Sequence, residues 1–130
     1  MRYADRALFN SPYHYGLCLS EKRFRKELKR LKVPRENWPP FLASEHSAAT
    51  THFLVSNKGG RCAIVTLGKT KGKYNIQVAA LLVHEAVHIW QAIVETIGEV
   101  SPSDEFMAYS IQGISQELMD AYIFLKGKTK

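Results

Sequence analysis

The sequence predicts one domain of the α+β class: a small antiparallel sheet against a buried helix, a further helix after it and a basic amphipathic helix before it. Three observations carry this expectation. Two β-rich runs, residues 51–56 and 62–67, are separated by Asn57-Lys58-Gly59-Gly60, a hairpin signal. Residues 76–97 are mostly apolar and contain neither Gly nor Pro, which reads as one long helix. The chain has 130 residues, 45% hydrophobic and 23% charged, enough to bury one core but too short for a second, so residues 1–130 form a single domain.

The elements follow in order. Residues 1–19 read as irregular, with a turn at Asn10-Ser11-Pro12 and with Tyr3, Phe9, Tyr13 and Tyr15 offering rings to the core. Ser20 is a candidate N-cap and Glu21 a first-turn acid, after which Phe24, Leu28 and Leu31 recur at helical spacing, giving a helix over 21–32. Its other faces are basic: Lys22, Arg23, Arg25, Lys26, Lys29, Arg30, Lys32 and Arg35 are eight of the chain's 18 cations. Such a stripe is a solvated helix face, or a contact for nucleic acid, an anionic cell-wall polymer or an acidic partner protein. Trp38-Pro39-Pro40-Phe41 is a rigid connection whose rings cover one end of the core.

After the hairpin, Gly68 and residues 69–73 read as a second turn before the long helix, and Gly98 is the expected C-cap. That helix is expected to be mostly buried, with Leu81, Val87, Trp90 and Ile93 needing partners on several sides. Ser101-Pro102-Ser103-Asp104 then supplies an N-cap and a proline at the first helical position, opening a last helix that runs through Leu125 into a basic tail. Cys18 and Cys62 lack metal or redox spacing and are expected to be free buried thiols. No run of 18 apolar residues is uninterrupted, so no membrane span is expected, and no export signal is read at Met1 to Arg6, which points to the cytoplasm.

The long helix carries the one motif with chemistry in it, His84-Glu85-Ala86-Val87-His88. Residues four apart share a helix face, so both rings can reach one metal ion, Zn²⁺ by the pattern. Glu85, one residue round, can take a proton from a water activated there and pass it to a leaving amine. With five His and nine Glu in the chain, chance supplies about 0.01 such motifs, too few to explain it.

A catalytic zinc site needs a third protein ligand. Glu105 is the expected one, 17 residues after His88 in the first turn of the next helix. Tyr109, four residues on, is the expected oxyanion donor. The rivals are Glu95 and Glu99, which lie at least about 10 Å further along the axis, Asp104, Glu117 and, from the strand side, His46 and His52.

These residues resemble the gluzincin branch of zinc metallopeptidases, in which H-E-x-x-H on one helix is completed by a glutamate on the next. The resemblance covers residues 62–125 and implies a zincin-like fold, with residues 62–67 as an open edge strand pairing with an extended substrate. The interval to Glu105 is short for that branch, and Tyr109 stands where Asp or Ala is common. The stretches Ser11-Pro12-Tyr13, Ala80 to Gln91 and Glu105 to Gln112 also resemble a family of short uncharacterised bacteriophage and prophage proteins, which implies a bacterial host cytoplasm.

Three functions remain open at this level: a small zinc peptidase acting on a peptide or protein, a zinc-stabilised domain without catalysis that binds a protein partner, and a nucleic-acid-binding accessory protein using Lys22 to Arg35.

Overall fold

The computed structural model describes residues 1–4, 11–69 and 75–127. The expectations for Phe9, Asn10, most of the turn at 69–73 and the end of the basic tail lie outside the described residues. The elements are β1 (Arg2–Tyr3), β2 (His14–Cys18), α1 (Glu21–Arg30), a 3-10 turn at Arg35–Asn37, β3 (Ala49–Val55), β4 (Arg61–Leu67), α2 (Ile76–Ile97) and α3 (Asp104–Gly127).

The class is α+β as expected, but the sheet is mixed rather than antiparallel. Its order is β1-β2-β4-β3. The hairpin forms, with Thr51 opposite Val65 and Phe53 opposite Ala63. β2, in the stretch read as irregular, lies parallel to β4, His14 beside Cys62 and Cys18 beside Thr66. A parallel pair needs a long crossover, and here α1 and β3 both lie within it. Gly16 in β2 is required by β1: a Cβ there would lie 2.5 Å from the Arg2 carbonyl oxygen and 2.9 Å from Tyr3 Cα.

Both faces of the sheet are covered, which explains why β4 is buried from Cys62 to Leu67. On one face Leu17, Ala63, Val65 and Leu67 meet Leu82, Ile89 and Ile93 of α2 and Leu118 and Tyr122 of α3. On the other, Cys18, Ile64 and Leu54 meet Phe24 and Leu28 of α1. Cys18 and Cys62 are free and buried. The result is helix, sheet, helix pair in three layers.

The helix ends follow from capping. The Ser20 hydroxyl accepts from the Arg23 amide, and the Asn75 side chain accepts from the Val78 amide. Gly98 closes α2 in the left-handed region, φ 79°. The last helix starts later than expected, because the Ser103 hydroxyl rather than that of Ser101 accepts from the Phe106 amide, at 3.1 Å.

α2 is not buried all round. Val78, Leu82, Glu85, Ala86, Ile89, Trp90 and Ile93 form one buried face, Leu81 and Val87 are half-buried, and His84 and His88 are exposed. α2 has the length and hydropathy of a helix able to cross a membrane. Here that apolar surface is what covers the sheet.

Candidate metal centre

His84, Glu85 and His88 sit near the middle of α2, and their ligand atoms all lie within 4.8 Å of one another. The four-residue spacing stacks the two imidazoles along one side of the helix, ring centroids 4.9 Å apart and planes at 75°. Their Nε2 atoms face each other at 3.2 Å. That separation suits a shared proton between one donor and one acceptor ring. It also suits a shared metal: two nitrogens each about 2.05 Å from a tetrahedral zinc lie about 3.3 Å apart. Two imidazoles and a carboxylate are donors that divalent transition metals accept, zinc among them, so these residues could hold a metal ion.

Glu85 faces inward from the same turn. Its side chain is buried, and Thr51 of β3 donates its hydroxyl to Glu85 Oε1 at 3.2 Å. The contact crosses from sheet to helix and holds the carboxylate on the sheet side of the histidines. The register explains it, since Thr51 pairs with Val65 and so shares the sheet face that α2 covers. Sequence reading missed Thr51, because strand alternation pairs it with Phe53 on one face but does not reveal which helix lies over that face.

Beside these residues, β3, the preceding loop and α2 enclose an open groove of about 820 Å³, a size ordinary for ligand sites. His84, Glu85 and His88 line one wall, and Ala43, Ala48, Thr51, Phe53 and Leu81 are among the rest of the lining, with the polar Ser47, Thr50 and Gln77. Glu85 and the two histidines are the only ionisable groups in that lining among the described residues.

Glu105 and Tyr109 do not join the group among the described residues. Glu105 is exposed in the first turn of α3, and Tyr109 is 57% exposed. At 100° per residue Glu105 lies about 140° round the helix from Ser110, which begins the buried face of α3. Of the rivals, His52 belongs to the opposite face of the sheet. Its Nε2 lies 3.0 Å from both the Phe41 carbonyl and the Thr66 hydroxyl, and its ring rests 4.7 Å from that of Phe24. Burial, only partly offset by the Phe41 carbonyl, pushes its pKa down. His46 is exposed beside Glu45.

The edge expected at residues 62–67 is also elsewhere. β4 is paired on both sides, and β3 is the outer strand on this side of the sheet, with Thr51 and Phe53 in the groove wall. The crossover that brings β2 alongside β4 closes the edge that a simple hairpin would have left open.

A second polar cluster was not expected. Glu27 on α1 is buried, held by the Arg30 guanidinium and by the Tyr3 hydroxyl, which donates at 2.9 Å. Burial raises the Glu27 pKa, but Arg30 and Tyr3 outweigh it, and the net shift is downward.

Comparison with protein-family models, curated sequences and solved structures finds no match to this chain.

Proposed function

We propose that this chain is a small zinc-dependent peptidase of zincin-like type, with its centre at His84 and His88. The observation that carries the proposal is the 3.2 Å separation of the two Nε2 atoms, close to the edge of a zinc tetrahedron, on residues of an H-E-x-x-H motif. A zinc ion there supplies Lewis acidity toward a water and an amide carbonyl. Glu85, buried and oriented by Thr51, is the base that accepts the water's proton and returns it to the leaving amine. Glu105 is the third ligand in this reading, by swinging in from the exposed turn of α3; the Glu85 carboxylate, already within 4.8 Å, is the competing donor. Tyr109 is the candidate oxyanion donor from the same turn region of α3.

The groove supports an amide substrate flanked by uncharged groups, because its walls beyond the motif are alanines, Phe53, Leu81 and the neutral polar side chains of Ser47, Thr50, Thr51 and Gln77. Its openness also favours a reactive centre over a closed structural zinc site, which fills all four positions with protein. The resemblance to phage proteins makes a bacterial host cytoplasm the setting.

The test is Glu85→Gln in zinc-loaded protein against a mixed peptide library, with metal content measured in parallel. Retained zinc and lost cleavage are expected. Cleavage equal to wild type refutes the proposed role of Glu85. Zinc content of Glu105→Ala then decides the third ligand, since loss there and retention in Glu85→Gln assigns it to Glu105.

A further inference from the structure

We infer that the α1 face of the molecule, on the opposite side of the sheet from the metal centre, binds single-stranded nucleic acid, with one base entering the cleft between α1 and the Trp38–Phe41 segment. The charge is the first ground. Residues 21–36 hold eight cations and three carboxylates, so this stretch carries +5 of the chain's net +6. Two of the three carboxylates are already paired, Glu21 with Arg25 at 2.8 Å and Glu27 with Arg30.

The placement of that charge is the second ground. α1 buries Phe24, Glu27 and Leu28 against the sheet and turns Lys22 and Lys29 directly outward. Seven residues separate those lysines, about 10 Å along the axis, so they form a ridge able to follow a phosphate backbone.

The third ground is a cleft beside the ridge. It has a volume of about 440 Å³, and Arg25, Arg35, Trp38 and Phe41 help to line it. Its rings are set in advance. The Trp38 indole N–H donates to the Val33 carbonyl at 2.8 Å, Arg35 lies 5.1 Å above the Trp38 ring, and Phe41 meets Phe24 edge to face at 5.9 Å. Aromatic faces next to a cationic ridge are what unpaired bases and their phosphates use together. A duplex keeps its bases stacked and cannot offer one to the cleft. An acidic polypeptide matches the charge but has no planar ring in its acidic residues to stack there.

The experiment is fluorescence anisotropy of the full chain with fluorescein-labelled oligothymidylate of twelve nucleotides, from 50 to 200 mM KCl, against a duplex of equal length and polyglutamate as competitors. With about four cations on phosphates, the slope of log affinity against log salt is about −3, an eightfold loss per doubling of salt. Lys22→Gln with Lys29→Gln, both exposed, should reduce that slope by about 1.4. Trp38→Ala, checked for native circular dichroism, should weaken binding at least about fivefold. If Trp38→Ala does not fold, quenching of Trp38 emission by the oligonucleotide in a Trp90→Phe background replaces it, and no quenching overturns the inference. No binding at 50 mM salt, competition by polyglutamate or duplex as strong as by the single strand, or affinity indifferent to the lysine pair each overturns it too.

Discussion

Zinc should raise the thermal stability of this chain, and His88→Ala should abolish the effect. Both histidines are exposed, so His88→Ala removes little packing and should move the metal-free melting temperature by about 2 °C or less, the scale of about 0.5 kcal/mol for surface changes. Zinc bound at the proposed centre would act differently, because that centre exists only where the fold holds the two Nε2 atoms 3.2 Å apart. At free zinc one hundred times Kd, binding stabilises the native state by about 2.7 kcal/mol. A chain of 130 residues unfolds with an entropy of about 0.27 kcal/mol/K, at about 2.1 cal/mol/K per residue, so the melting temperature should rise by about 10 °C. The assay is differential scanning calorimetry at pH 7.5 with and without zinc, reversed by a chelator. A wild-type shift under 2 °C at millimolar zinc, or the same shift in His88→Ala, refutes the reasoning. The first outcome leaves the 3.2 Å contact as a hydrogen bond between rings, and the second puts the ion elsewhere.

Three further outcomes follow from the packing. Thr51→Val removes the hydroxyl that reaches the buried Glu85 carboxylate and should cost about 1–3 kcal/mol in urea unfolding, with Thr51→Ser restoring most of it; an unchanged midpoint in Thr51→Val refutes the role of the contact. His52 is held below its ordinary pKa of 6.5, so the unfolded chain takes up its proton first as pH falls. Stability should therefore be full above about pH 6.5 and decline below it, and His52→Gln should flatten that part of the urea profile; an unaltered pH dependence in the variant speaks against the sign worked here. Gly16→Ala puts a methyl 2.5 Å from the Arg2 carbonyl oxygen and should cost about 1–3 kcal/mol by displacing β1, read as a lower melting temperature; a neutral substitution means that β1 does not hold that position in solution.

Local signals determined much of this molecule. The 22-residue helix Ile76–Ile97, its Gly98 cap, the Ser20 cap of α1 and the turn between β3 and β4 each depend on a few neighbouring residues, and each stands where its sequence pattern puts it. The pairing of His84 with His88 is local too, since helix geometry alone brings positions four apart together. What depended on distant partners was not legible. β2 is five residues with a glycine in the middle, too weak a pattern by itself, and it becomes a central strand because β4 offers it a parallel partner and Arg2 a close one. That pairing makes the sheet mixed and moves its edge on the side of the candidate metal centre to β3. The same holds at the candidate centre. The motif names Glu85, but only the stacking of α2 on the sheet turns Thr51 toward it and His52 away, because strand alternation divides residues into two faces and tertiary packing decides which helix covers each.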